Sequence, residues 1–350
     1  DEIANFVFPA SQYTKAFAEK HIVQQFTGAA AFLDFDNDGY LDIYVVRGST
    51  IQADSTNRLY HNHGDGTFTD VTEKASVGDA GMGLNCVIGD YDNDGYLDIY
   101  VANYGPNVLY HNNKDGTFTD VTNQAGVGNP GWSQDVLFVD YDHEGDLDIY
   151  VANYVDLTQT PIAQGETISF PEDFVGSENV LYRNNGDGTF TDVTVSAGVG
   201  GGAQKSVKVF FSDFDDDNDI DLCVANVDSQ SHLYLNLRDS KFGEFSTAWG
   251  IQPDFQPLAV GDVNNDGRMD IVGAKHASPM YIATNQDNTH FDGFRPLPAT
   301  DTNNVDAKPP LYPYVIDYNN DGRLDVLVVG SQYGLFRNDG PHPPPHNPLP

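Results

Sequence analysis

Six short stretches of this chain gather oxygen donors at one spacing. The first holds Asp34, Asp36, Asp38, Gly39 and Asp42, a D-x-D-x-D-G-x-x-D pattern. Three carboxylates at alternate positions repel one another unless a cation lies among them. Hard Ca²⁺ accepts many oxygens in flexible geometry, and Asp, Asn and backbone carbonyls supply them. Gly39 allows the sharp turn that lets the loop wrap an ion. Asp42 reaches back from the following segment, and the carbonyl of Tyr40, at position seven, adds a ligand. Mg²⁺ demands stricter geometry and keeps its water, so a wrapping loop favours Ca²⁺.

The set recurs five times. The second copy is Asp90, Asp92, Asp94, Tyr96 and Asp98, and the third is Asp140, Asp142, Glu144, Asp146 and Asp148. The fourth is Asp213, Asp215, Asp217, Asp219 and Asp221, with Asn218 in the glycine position, where Asn tolerates a left-handed turn. The fifth is Asp262, Asn264, Asp266, Arg268 and Asp270, and the sixth is Asp317, Asn319, Asp321, Arg323 and Asp325. In every copy the position-seven residue enters through its carbonyl. Asn at position three removes a negative charge, so the last two sites are expected to bind more weakly. These are not EF-hands: Val45, Val101, Val151, Val224, Gly273 and Val328 stand where the bidentate Glu belongs. Asp favours turns on its own, but six copies in one register predict about six Ca²⁺ sites. With a Kd of ~0.1 mM and ~2 mM free calcium, each would contribute ~1.8 kcal/mol, and six would approach ~10 kcal/mol.

The elements that hold these loops follow from the repeat. The Asp clusters start 56, 50, 73, 49 and 55 residues apart, which is the length of a four-stranded propeller blade. An apolar run enters each cluster (QDVLFVDY) and another leaves it (LDIYVAN). Two more follow, as in NVLYRNNGDGTFTDVT from Asn179. Alternation and β-branched residues mark strands, Gly, Asn and Asp mark turns, and no window keeps a helical period for long. The reading is all-β, a six-bladed β-propeller over residues 1–340, with seven blades as the alternative. The sixth unit lacks a fourth strand. The N-terminal segment Asn5–Ala16 resembles that strand, so it is expected to complete the last blade and close the ring. An insertion at 155–178 interrupts the third unit. The proline-rich 341–350 reads as a tail or linker.

The repeat resembles the FG-GAP/VCBS family, which includes the propellers of integrin α subunits. The closer likeness is to the ASPIC/UnbV and cartilage-acidic-protein type, through DFDNDGYLDIYV, VANY (Val101 to Tyr104, Val151 to Tyr154) and NNGDGTFTDVT. The motif count differs from the seven blades of integrins, and no separate C-terminal module of the ASPIC kind is seen within residues 1–350. The resemblance implies an extracellular, calcium-binding protein with adhesion or matrix roles.

Fifty-two acidic against 17 basic residues give a net charge of −35. That repels nucleic acid and anionic membranes, and no apolar stretch is long enough to span a bilayer. Cys86 and Cys223 lie in apolar runs and read as buried free thiols. Ten histidines include no zinc-protease spacing. His61, His63 and His111 read as surface residues of third-strand turns. No nucleophile elbow or phosphate loop occurs, so a non-enzymatic binding or structural module is expected outside the cell. Its partner would be an extracellular protein or glycan, or copies of itself. The insertion, with Phe170 and Phe174, is one candidate contact surface. A lectin-like alternative would use Trp132, Tyr104 and Tyr154 as sugar platforms. A filament subunit is the third reading.

Overall fold

The computed structural model describes residues 6–23, 26, 28–48, 56–162, 165–275, 280–296, 312–329 and 333–338. The proline-rich segment 341–350, with His342 and His346, lies outside them. Six antiparallel sheets follow one another along the chain. Blade 1 comprises Ala29–Leu33, Asp42–Val46, Arg58–Asn62 and Phe68–Asp70. Blade 2 comprises Met82–Gly89, Asp98–Tyr104, Val108–Asn112 and Phe118–Asp120. Blade 3 comprises Ser133–Val139, Asp148–Asn153, Val180–Asn184 and Phe190–Asp192. Lys205–Ser212, Asp221–Val227, His232–Asn236 and Phe242–Glu244 form blade 4. Phe255–Gly261, Asp270–Lys275, Met280–Gln286 and His290–Pro296 form blade 5. Blade 6 has three strands among the described residues, Tyr312–Ile316, Asp325–Val329 and Tyr333–Phe336. The molecule is a six-bladed β-propeller.

The second strands explain why the sheets stack. Asp148–Asn153 and Asp221–Val227 are buried along their whole length, because sheets pack on both of their faces. The four seams from blade 1 to blade 5 share a repeated aromatic contact. The outer-strand Phe of one blade meets the ring just after the first Asp of the preceding blade. Phe118 lies 6.2 Å from Phe35, Phe190 5.7 Å from Tyr91, Phe242 5.7 Å from Tyr141 and Phe291 5.9 Å from Phe214. At the seam between blades 6 and 1 the corresponding rings, Tyr318 and Phe68, are both exposed. On the same two faces Phe32 is 65% exposed and Tyr314 54%.

Two expectations are corrected. The N-terminal strand does not join blade 6. Phe6–Pro9 pairs antiparallel with Thr167–Phe170 of the insertion, Phe8 opposite Ile168. The reason is apolar matching. Phe8, Ile168, Phe170 and Phe174 share one buried cluster, which the polar outer-strand pattern FTD offers no means to build. The chain also holds helices. Lys15–His21 is helical, with the Thr14 hydroxyl accepting from Phe17 N at 3.0 Å, and it buries Ala18. Each TDVT segment leaves its strand early: Thr72–Ala75, Thr122–Ala125 and Thr194–Ala197 form single helical turns. Their first N–H donates to the preceding Asp, as from Thr122 to Asp120 Oδ1 at 3.0 Å.

The helix, the N-terminal strand and the insertion form a cap. It packs on Leu84, Trp132, Tyr154 and Val227. These residues lie where the first strands begin or the second strands end, because Met82 pairs with Tyr104 and Lys205 with Val227. The Asp loops join the opposite ends of the same strands, where Gly89 pairs with Asp98 and Ser212 with Asp221.

Candidate metal centres

Each Asp loop is a hairpin turn with two left-handed residues. At position four these are Asn37, Asn93, His143, Asp216, Asn265 and Asn320, with φ between 57° and 63°. At position six they are Gly39, Gly95, Gly145, Asn218, Gly267 and Gly322. The position-six turn follows from the glycine pattern. The position-four turn is signalled more weakly, by Asn in four copies and by His143 and Asp216 in the others, the non-glycine residues that most often enter the left-handed region.

These turns fold the carboxylates inward. Asp34 Oδ1 accepts from Asp38 N at 3.0 Å and its Oδ2 from Gly39 N at 2.9 Å. Asp90, Asp213, Asp262 and Asp317 repeat both bonds at position one. In loop 3 Asp140 bonds Gly145 N at 3.1 Å. The position-five carboxylates of Asp38, Asp94, Asp217, Asp266 and Asp321 accept from the position-seven N–H of Tyr40, Tyr96, Asp219, Arg268 and Arg323. Glu144 in loop 3 donates its N–H to Asp142 Oδ1 at 3.4 Å. The position-nine Asp42, Asp98, Asp148, Asp221, Asp270 and Asp325 are all buried.

A divalent cation fits this arrangement. Single carboxylate oxygens of Asp34, Asp36 and Asp42, of Asp90, Asp92 and Asp98, and of Asp140, Asp142 and Asp148 lie within 4.8 Å of one another in each loop. Asp36 Oδ1, Asp140 Oδ1, Asp142 Oδ2, Asp146 Oδ1 and Asp215 Oδ1 are buried without a hydrogen-bond partner. Orphaned buried oxygens are costly, and an ion is the natural occupant among them. Loops 5 and 6 are better satisfied on their own. Asn264 Nδ2 donates to Asp266 Oδ2 at 3.0 Å and Asn319 Nδ2 to Asp321 Oδ2 at 2.9 Å, and Arg268 also bonds Asp266.

In blades 1 to 5 burial pushes the position-nine carboxyl up, against hydrogen bonds from two or more backbone N–H groups. Asp98 and Asp148 reach about 8, Asp221 about 7 and Asp270 about 6. Asp42 is raised for the same reason. Burial also raises Asp92, Asp142 and Asp146, with neighbouring carboxylates adding to it. The two thiols, free as expected, are pushed by burial to about 12.

The sequence reading passed over the residues that tie one loop to the next. The Asn ending each LYxN segment donates its backbone N–H to the position-nine Asp of its own blade. Asn112 N reaches Asp98 Oδ1 at 2.7 Å and Asn184 N reaches Asp148 Oδ1 at 2.8 Å. Its side-chain amide then crosses the seam to the carbonyl just after the first Asp of the preceding loop. Asn112 Nδ2 bonds Phe35 O, Asn184 bonds Tyr91 O, Asn236 bonds Tyr141 O, Asn285 bonds Phe214 O and Asn338 bonds Val263 O, all at 2.6 to 2.8 Å. This chain of bonds places all six loops on one rim. The position-four side chains add further links: Asn37 Nδ2 to Gly95 O at 3.0 Å and Asn93 Nδ2 to Gly145 O at 2.7 Å. The recurrence of that Asn within the chain was the available signal.

The FG-GAP-like repeat pattern matches residues 34–101, 90–151, 213–273 and 262–328. The chain belongs to the FG-GAP-like repeat family. This FG-GAP propeller is similar to cartilage acidic protein 1 of Xenopus tropicalis, 26% identical over 164 residues, and of Homo sapiens, 27% identical over 162. Each alignment covers 43% of this chain and 24% of the relative, so the match spans about a quarter of the relatives' length. Among solved structures, an Agrocybe aegerita lectin that recognises non-reducing terminal N-acetylglucosamine aligns with a TM-score of 0.49 at 18% identity, over 92% of this chain and 83% of the lectin. The V. cholerae biofilm matrix protein Bap1 aligns with a TM-score of 0.42 at 13% identity, over 75% of this chain and 38% of that one.

The aromatic candidates for ligand contact lie inside the FG-GAP propeller. Phe170 and Phe174 are buried, Phe170 against Trp132 and Tyr154. Trp132 and Tyr154 are buried too, so they present no platform to a sugar. Tyr104 is partly buried, with its hydroxyl on Glu19 Oε1 at 3.1 Å. No helix among the described residues is long and apolar enough to cross a membrane.

Proposed function

We propose that this chain is a non-enzymatic, calcium-binding propeller module that works outside the cell as an interaction or structural unit. The observation that carries the reading is the set of buried, unpartnered carboxylate oxygens on Asp36 in loop 1, Asp140 and Asp142 in loop 3, and Asp215 in loop 4. Those oxygens would hold the ion together with the position-one, -five and -nine acids and the position-seven carbonyl. Bound calcium would supply positive charge and fixed geometry. The chain's own part is to hold each hairpin in its double left-handed turn and to tie it to the next blade through the crossing Asn. Millimolar free calcium outside cells suits shallow, exposed loops of this kind. The test is a calorimetric titration of chelator-stripped protein with calcium. About six equivalents should bind, and Asp90→Asn with Asp92→Asn should remove one. Protein that takes up no calcium would overturn the proposal.

A second reading, a self-associating subunit, is favoured by the open seam. Phe68 and Phe32 on blade 1, and Tyr318 and Tyr314 on blade 6, are faces of the kind that bury each other at the other five seams. Blade 6 of one copy would therefore fit blade 1 of the next. Light scattering should show assemblies that Phe32→Lys with Tyr314→Lys disperses. A monomer at all concentrations would exclude this reading.

A further inference from the structure

The residue just before the crossing Asn differs between blades. It is His61 in blade 1 and His111 in blade 2, but Arg183, Leu235, Thr284 and Arg337 in blades 3 to 6. Neither histidine behaves as a surface turn residue. His61 Nδ1 lies 3.2 Å from Asp42 Oδ1 and 3.6 Å from Asp36 Oδ2. His111 Nδ1 lies 3.3 Å from Asp92 Oδ2 and 3.5 Å from Asp98 Oδ1. His111 Nδ1 is closed off from solvent and makes no hydrogen bond. Each ring stands edge-on to the aromatic after the first Asp: His61 to Phe35 at 5.8 Å and 83°, His111 to Tyr91 at 6.2 Å and 75°. Packing therefore fixes the ring with Nδ1 facing two carboxylates.

The spacing is informative. Two ligands at ~2.0–2.1 Å from one tetrahedral ion stand ~3.3–3.4 Å apart. The four nitrogen–oxygen separations, 3.2 to 3.6 Å, bracket that edge. Calcium gains little from an imidazole, whereas zinc, cobalt and related ions favour one. The second histidine nitrogen also faces the site in blade 1, where His61 Nε2 lies 3.9 Å from Asp38 Oδ2.

We infer that blades 1 and 2 carry mixed sites of one imidazole and two carboxylates, which take a borderline transition-metal dication in preference to calcium. The ligands would be His61, Asp36 and Asp42 in blade 1, and His111, Asp92 and Asp98 in blade 2. Blades 3 to 6 keep oxygen-only loops. The inference rests on the proposed cation-binding role of the loops, but its test separates the two.

Chelator-stripped full-length protein is titrated with Co²⁺ in the presence of excess calcium, with visible d–d absorption as the readout. Two equivalents of Co²⁺ should develop bands that Zn²⁺ abolishes and further calcium does not. His61→Gln and His111→Gln should each remove one equivalent while leaving calcium uptake by blades 3 to 6 intact. Absence of bands in the unaltered protein, or bands that survive in the double variant, would overturn the inference. Should the variants not fold, the titration of the unaltered protein decides alone. Uptake of calcium without Co²⁺ would sink this inference and spare the function proposed above; uptake of neither would sink both.

Discussion

At the residue scale, the account turns on buried carboxylates and the Asn that grips them. Asn112 carries a backbone bond to Asp98 and side-chain bonds to Phe35 O and Leu97 O. Asn112→Ala takes the donor from the buried carbonyl of Phe35 and the half-buried one of Leu97, which should cost about 2–3 kcal/mol in urea unfolding. An exposed Asn, such as Asn113, should cost less than about 0.5 kcal/mol. The position-nine acids make a pH prediction. In the unfolded chain they titrate near ~4; in the folded, metal-free protein Asp98, Asp148, Asp221 and Asp270 hold their protons up to about 6 to 8. The folded state then binds more protons than the unfolded state, so metal-free stability falls as pH rises from about 4 to about 8. With calcium the trend reverses, because protons compete with the ion for the same oxygens. Melting temperatures of EDTA-treated and calcium-loaded protein at about pH 5.5 and pH 8 check this, and parallel trends would contradict it. The Asp positions were legible because their spacing recurs six times. The crossing Asn was visible as a letter but not as a contact, since its partner carbonyl is 71 to 95 residues away.

At the element scale, blade strands were legible from alternation and turn residues, and the helical turns were not. In TDVT the period favours a strand, but the Asp side chain captures the Thr N–H two residues on and starts a turn. The insertion carries the other lesson. Its aromatics read equally well as a contact surface or as anchors, and burial assigns Phe170 and Phe174 to anchoring. Phe170 touches Phe26, Trp132, Tyr154 and Phe174. Phe170→Ala should therefore cost about 3–5 kcal/mol locally. It should release the N-terminal strand and helix from the cap, seen as rapid proteolysis before residue 24 while the blades stay resistant. Unchanged protection of that segment would show that the cap is held by other contacts.

At the scale of the whole molecule, the blade count followed from the repeat period, but the closure did not. A short strand with apolar alternation gives no sign of which edge it will pair with. Phe8 found its partners in an insertion some 160 residues away. Among the described residues, the seam between blades 6 and 1 lacks the crossing amide of the other five and the Phe-on-aromatic contact of the four from blade 1 to blade 5; Asn62 Nδ2 bonds its own Leu41 O at 2.8 Å. What joins the blades elsewhere is therefore the rim of Asp loops as much as the apolar faces. The most direct measurement is differential scanning calorimetry of the full chain with about 2 mM calcium and then with excess EDTA. Six ions contributing ~10 kcal/mol to a chain of this length should raise the melting temperature by about 14 °C. Superimposable transitions would mean that the acid-rich loops do not hold the blades together through bound metal.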